Sequence, residues 1–519
     1  MKKYILSLII SAFLFGACGD FLDRQPYDRV SQEIFWKEKL HFEMALAGNY
    51  ALLQRPTTVG DQDTRYIATS QPGFDCITDN CFGRNNYGRS KDIVEGNISQ
   101  STTGYIAVVF DGSYKGIARA NLFLEALAAY EGTDMTPAEK NIMEGEVRFL
   151  RAFYYYYLYT FYGDVPLVLE PLTIETMKQP KVPASEILAQ IITDLDFGIA
   201  NLKDVPYHQN AGHVVKSTAQ ALKARVLIFA AYGNTGTPDA NILRQVKDLC
   251  VAIRPQYTLS PDFQDLFLSQ KQNDTKEIIW SVNFLYPNGT GEQQINTLQV
   301  SYACWNPLQS FVDVFECIDG LSINDSPLFD PEKPFENRDI RLKRSIYKNI
   351  VTWDDGTTFN PTEDRPTGYG VMKYLDQRTH TTPSNPNPPA NDVNIIQFRL
   401  AEVLLNYAEV QNELEGPDAT VYELINEIRT RAGLPNLPAG LSKEQMREKI
   451  RHERRVELAF ENGSRYFDLK RWRIMGDVYS KVTDGILTYR FENRFYKWPL
   501  PLQEIERCEG ILEQNPDYK

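Results

Sequence analysis

The chain has 519 residues, 43% hydrophobic and 24% charged, with a formal net charge of −13. That composition describes a folded protein with ample length for a large core. The acidic balance argues against nucleic acid or anionic glycans as general partners, because both seek positive potential. Neutral ligands remain open, and the 29 Tyr supply faces either for stacking or for helix packing.

Lys2 and Lys3 precede an apolar run from Tyr4 to Phe15, followed by Gly16-Ala17-Cys18. The run is too short to span a bilayer and has the form of a secretory signal. Small residues before a cysteine resemble a bacterial lipobox, with Leu14 one place early. Residues 1–17 are therefore expected to be a leader, Cys18 the lipidated first residue of the mature chain, and 18–35 a tether. Several acyl chains, at about 0.8 kcal/mol per buried methylene, anchor one residue firmly. No other run reaches spanning length, so the expectation is a protein on a membrane rather than through it. Of the remaining cysteines, Cys76 and Cys81 are close enough to pair. Cys250, Cys304, Cys317 and Cys508 show no metal-site spacing. Export permits disulfides, but buried free thiols are the expected state for most.

Helical periods follow over 32–54, 113–130, 137–161, 184–202, 216–232 and 239–253, within an N-terminal helical region spanning 36–253. Thr136-Pro137-Ala138-Glu139 gives the third of these an N-cap, a proline at its first position and an acidic first turn. Its run Tyr154-Tyr155-Tyr156-Tyr157 points around most of the helix circumference, so it is expected to pack rather than form a flat platform. With helices at 395–414 and 418–432, eight helices make four natural pairs.

Two long regions, 55–103 and 254–393, lack helical period and are rich in Gly, Pro, Asn and Asp. Such segments on a rigid scaffold tend to carry binding residues. A ligand with an apolar face and many hydroxyls needs aromatic rings beside planar polar groups. That chemistry selects Asp75, Asp79, Asn80 and Tyr87 from the first region. From the second it selects Tyr286, Tyr302, Trp305 and Trp353, with Trp305 the first choice. Trp280 alternates with apolar neighbours over a strand-like Glu277–Tyr286 and is read as structural. Residues 299–305 and a short helix near 307–316 follow, and the Pro/Asn-rich 381–391 reads as a linker.

The C-terminal region, 394–519, opens with three helices. Ile396, Leu400, Val403, Leu404, Tyr407 and Ala408 form the stripe of the first. Gly416-Pro417 breaks it, and a second runs to Gly433. The third starts with the capping box Ser442–Gln445 and is expected to end at Asn462-Gly463. On it Glu453, Glu457 and Glu461 are spaced four apart, a repulsive arrangement in an isolated helix. Arg454, Arg455, Arg465 and Arg471, with Arg399, Arg429 and Arg431 from neighbouring helices, are available to neutralise it. Guanidinium forks suit fixed ion pairs better than proton transfer, so a structural lattice is expected here rather than a catalytic cluster.

Enzyme signals are poor. Gly-x-Ser-x-Gly, a P-loop, a dinucleotide fingerprint and His-Glu-x-x-His are all missing, and the histidines are scattered. No cofactor or metal is expected. Two carboxylates at hydrolase separation are not excluded by a chain this acidic.

The blocks RLAEVLLNYAEVQN, INEIRTRAGL and ERRVELAFENGSRYFDLKRW resemble the C-terminal signature of the SusD/RagB family of outer-membrane nutrient-binding lipoproteins. Trp498–Pro501 through Gln514–Tyr518 resembles that family's closing segment, with Asp517 where glycine is usual. Asp20–Asp23, Tyr162–Leu167 and Phe311–Gly320 resemble further family blocks, and Trp36, Trp472 and Trp498 fall in such blocks. The resemblance implies a mainly α fold, a right-handed superhelix of tetratricopeptide-like helix pairs with large irregular loops and a few short strands. It implies capture of a glycan at the cell surface and its delivery to a TonB-dependent outer-membrane transporter, without chemistry. A peptide-binding member of the same family and a surface glycosidase are the alternatives.

Overall fold

The computed structural model describes residues 35–54, 71–285, 295–300, 302–352, 356, 358–359, 365–375 and 392–519. Cys18, Tyr286 and Trp353 lie outside them. The long helices are α1 (Lys39–Gln54), α2 (Tyr105–Ala128), α3 (Pro137–Phe161), α4 (Ala184–Asn201), α5 (Lys216–Tyr232), α6 (Ala240–Ile253), α7 (Leu400–Glu415), α8 (Ala419–Arg431), α9 (Lys443–Glu457) and α10 (Ser464–Arg471). From α1 to α8 each helix packs on the next, and α7 also meets α9. The arrangement is the mainly helical superhelix of paired helices that the sequence predicts. Between α6 and α7 the chain leaves this stack for the loop-rich excursion and then rejoins it.

Strands are short: β1 (Cys81–Gly83), β2 (Ile278–Val282), β3 (Trp305–Pro307), β4 (Ile346–Lys348), β5 (Val351–Thr352), β6 (Thr358–Phe359), β7 (Tyr369–Val371) and β8 (Ile395–Arg399). They pair only in twos, all antiparallel: β1 with β3, β2 with β8, β4 with β7 and β5 with β6. The helix expected from residue 395 thus starts at Leu400. Ile395-Ile396 is β-branched and every residue of β8 is buried, which suits a strand covered on both faces. Ile396 fits the period of either element, and pairing with β2 decides it.

Helix α3 is the axis of the core. The Thr136 capping box with Glu139 starts it, and Gly163 at φ 79° turns the chain out. It packs against α2 on one side and α4 on another, so all of Tyr154 to Tyr157 are buried. Tyr155 donates to the Val168 carbonyl at 2.9 Å. Phe161 stacks on Trp498 at 4.0 Å, and Asn515 donates to the Trp498 carbonyl at 2.8 Å. The closing segment is therefore tied onto the end of α3.

Glu453 and Glu457 lie on α9, but the helix stops at Glu457 and not at Asn462-Gly463. Phe460, Asn462 and Gly463 take positive φ, and this turn sets Glu461 outside the helix. All of these carboxylates are buried. Arg399 reaches Glu461 at 2.7 Å, Glu457 at 2.6 Å and Glu277 at 2.8 Å. Arg341 contacts Glu457 and Asp339 at 2.8 and 2.7 Å, as well as Glu453. Arg431 pairs with Glu457 and Glu277, Arg429 with Glu316 at 2.9 Å and Glu453 at 3.4 Å, and Lys373 with Glu461 at 2.7 Å. The expected partners Arg454, Arg455, Arg465 and Arg471 point elsewhere. Arg454 and Arg471 hold Asp468 at 2.9 and 2.8 Å, and Arg471 also holds Glu409. Their helix positions face α7 or the N-terminal loops, whereas Arg341 and Lys373, distant in sequence, arrive from the excursion.

Burial alone would raise the Glu409 carboxyl, but Arg471, Arg454 and the Tyr232 hydroxyl hold it down at about 2. Arg431, Arg399 and Arg341 likewise overcome burial and hold Glu457 well below the carboxylate range. Burial wins at Glu453, which is raised. A buried pair broken on one side leaves uncompensated charge. Arg399→Met is therefore expected to lower stability by about 3–5 kcal/mol, read from urea unfolding. A carboxylate held low in the folded state contributes stability above the unfolded value near 4.3, and that contribution fades as pH falls through the folded value. The wild type should lose stability between about pH 4 and 2, and Glu409→Gln should flatten that slope in acid titrations followed by circular dichroism.

Candidate ligand face

The first loop region reaches the second through β1 and β3. Gly83 pairs with Trp305, Phe82 with Asn306 and Cys81 with Pro307. The Arg84 N–H donates to the Cys304 carbonyl at 3.0 Å, and the Leu308 N–H to the Asn80 carbonyl at 2.9 Å. Residues more than two hundred positions apart are thereby fixed on one face.

Beyond β1 the chain makes an unusual turn. Asn85, Asn86, Gly88 and Arg89 all have φ between 55° and 61°, a left-handed run that asparagine tolerates and arginine rarely adopts. Such backbone persists only where its surroundings impose it. Here the Asn86 carbonyl oxygen of the side chain accepts from the Lys91 N–H at 3.0 Å, and its amide donates to Asp92 at 2.9 Å. A Cβ on Gly88 would lie 2.4 Å from the Tyr105 ring, so only glycine fits. The turn leaves Asn85 and Arg89 exposed and Tyr87 half-buried, edge-on to Trp305. Tyr302, two residues before Cys304, is 58% exposed.

The structure separates the sequence-selected residues. Trp305 is 0% exposed and fills the space under β1, where a Cβ on Gly73 would meet its Nε1 at 2.9 Å. Trp305 therefore has no face to offer, contrary to expectation. Asp79 accepts a bidentate pair from Arg465, both at 2.9 Å, and a further contact from Arg455 at 2.8 Å. Asn80 accepts from Arg455 at 2.8 Å and donates to Asp75 at 2.7 Å. Asp75 also accepts from the Phe460 N–H at 2.9 Å. These three are buried and serve as the dock for the C-terminal signature rather than as ligand groups. The reason is the arginines: Arg455 and Arg465 are committed to this loop and not to the α9 carboxylates. Burial opposes charge on both acids. It raises Asp75 to about 7 despite its two donors, whereas the two guanidiniums bring Asp79 to about 2.

Tyr302 and Tyr87 remain at the face. Asn85 and Arg89 join them, and the Arg84–Arg89 stretch RNNYGR, with its Asn-Asn and Gly turn signals, marked that place in the sequence. A concavity of about 630 Å³ opens in the excursion, lined among others by Lys333, Phe335, Lys343, Arg344, Tyr347 and Lys348. Thr352 and Met372 also line it. Another, of about 470 Å³, lies between α1, α3 and the connection from α4 to α5 around buried Glu146, which His213 meets at 2.9 Å. Among the described residues no helix is long and apolar enough to cross a membrane, and no group of His, Cys, Asp and Glu is arranged to hold a metal ion.

Comparison with known proteins gives a consistent result along the whole chain. Residues 268–518 match the SusD family model, and 20–228 match a model described as starch-binding, associating with the outer membrane. A SusD-like protein of Formosa agariphila is 26% identical, with 98% of this chain and 97% of that protein covered. One of Bacteroides ovatus is 24% identical, covering 95% and 86%. Among solved structures, a SusD-like carbohydrate binding protein from Bacteroides fragilis superposes with a TM-score of 0.77 at 24% identity, covering 92% of this chain and 99% of that one. Surface glycan-binding protein A from Bacteroides uniformis gives 0.71 at 22% identity, covering 92% and 100%. With the signature arginines and glutamates in place and both halves of the chain matched, this protein belongs to the SusD/RagB family.

Proposed function

We propose that the protein is a cell-surface lipoprotein, anchored through Cys18 in the outer membrane, that captures a glycan and hands it to a TonB-dependent transporter. The observation that carries this reading is the exposed ring of Tyr302, shortly before β3 in the chain, with β3 paired to the strand that leads into the left-handed Arg84–Arg89 turn. Relatives described as carbohydrate binding, laminarin binding and surface glycan-binding support it. So does the family description that associates starch binding with the outer membrane. Tyr286 and Trp353 are proposed as further contacts.

The reading is of a binder and not a catalyst. The most conspicuous acids, Glu453, Glu457 and Glu461, are each salt-bridged by arginine or lysine. A carboxylate saturated by guanidinium groups is poorly placed to give or take a proton. Delivery to the transporter would require the ligand face to be turned toward the pore.

Affinity gel electrophoresis of the mature, unlipidated chain against a polysaccharide panel tests this. One or more glycans should retard it, and no reducing ends should appear. Tyr302→Ala should weaken retention about fivefold, roughly 1 kcal/mol for a lost ring contact, with unchanged unfolding. Trp305→Ala should instead cost about 3–5 kcal/mol of stability. A chain that ignores every glycan but binds oligopeptides, or one that releases sugar, would remove the reading.

A further inference from the structure

Cys76 and Cys81 stand out among the groups that the ligand face does not use. Cys76 lies in the 3₁₀ turn Gln71–Ile77 and Cys81 opens β1. Both are fully buried, and their sulfurs are 3.6 Å apart. The chain between them is held from several sides. Thr78 bonds back to the Asp75 carbonyl at 2.8 Å, and the Asn80 N–H reaches the Thr78 hydroxyl at 3.1 Å. Tyr479 donates to the Ile77 carbonyl at 2.6 Å and Tyr489 to the Thr78 carbonyl at 3.0 Å. The loop thus presents two thiols to each other in van der Waals contact.

We propose that Cys76 and Cys81 form a disulfide in the mature protein, closing the loop that carries Asp79 and Asn80. This rests on the surface location proposed above, since reducing compartments keep thiols free. In the reaction each cysteine loses its S–H hydrogen and one S–S bond forms. The two protons and two electrons pass to a small-molecule or protein disulfide, which leaves as two thiols. Burial drives the Cys76 thiol well above its ordinary range. Thiolate attack is therefore slow once the loop is packed, and closure belongs to folding, before the sulfurs are covered.

The bond acts on the dock already described. Asp79 and Asn80 receive Arg455 and Arg465 from the far end of the sequence, and β1 leads straight into the ligand turn. A cross-link at the base of this loop holds the dock and the turn in one arrangement before the C-terminal region arrives. Cys304 lies beside the pair and is the competing partner. Cys250, Cys317 and Cys508 belong to other parts of the fold.

The mature chain is refolded from denaturant in glutathione buffers of graded potential, alkylated with iodoacetamide after renewed denaturation, digested and weighed. Under oxidising buffers, Cys76 and Cys81 should be recovered as a linked species lacking two hydrogens and unalkylated. Cys250, Cys304, Cys317 and Cys508 should carry the label. The Cys76→Ser variant should leave Cys81 labelled and form no bond to Cys304. Label on both Cys76 and Cys81 in every buffer overturns the proposal, as does a link from either to Cys304. Glycan retention measured on the same material keeps the two readings apart. A chain that binds glycan with both thiols free sinks only the disulfide. A linked chain that binds none leaves the disulfide standing and removes the surface-capture reading.

Discussion

The fold depends on the guanidinium of Arg399. Transferring a carboxylate or guanidinium from water into a protein interior costs on the order of several kcal/mol, recovered only when geometry is good and every lone pair is used. Arg399 meets that condition by touching Glu277, Glu457 and Glu461 together, and it donates to the Glu457 carbonyl as well. Those partners come from the residue before β2, the end of α9 and the turn after it. Arg341, Arg431 and Lys373 extend the set to the excursion and to α8. These elements also bury apolar side chains in the common core, such as Ile279, Ile425 and Ile450, and the ion pairs add direction to that packing. A displaced element would strand an ion, and buried ion pairs reward a single register in this way.

A second ionic dock connects this frame to the ligand face. Asp79 lies between Arg455 and Arg465, which belong to the same C-terminal block as the α9 carboxylates. The block that locks the helices together therefore also holds the loop from which β1 and the left-handed turn emerge. Conformational strain at Asn85, Asn86 and Arg89 is tolerated because its base is clamped. The division of labour is physical. The signature charges are largely consumed in mutual pairing inside the fold, while Asn85, Arg89 and Tyr302 lie exposed.

The aromatic residues divide in the same way. Most of those on α3, with Trp280 and Trp498, are interior and contact one another edge-on or stacked, and Trp305 is buried edge-on to Tyr87. Their number reflects a thick helical stack that needs large side chains to fill it. Ring content by itself therefore says little about sugar recognition in this chain; exposure decides it, and the ring of Tyr302 is exposed.

Helix periods and the Thr136 and Ser442 capping boxes indicated paired helices because such signals are local, whereas the superhelix and the family came from the resemblance that the C-terminal blocks carry. The tyrosine run was legible as packing for the same reason. Pairing was not legible. Which arginine meets which glutamate depends on Arg341 and Lys373 arriving from a hundred residues away, and no spacing in the sequence encodes that. The same holds for Trp305, chosen as a loop residue and found under β1, and for Asp75, Asp79 and Asn80, whose partners lie near the other end of the chain. Periodicity is set by neighbours along the backbone, whereas burial is set by whatever the fold brings alongside; only the tertiary structure decided which polar and aromatic groups were left for a ligand.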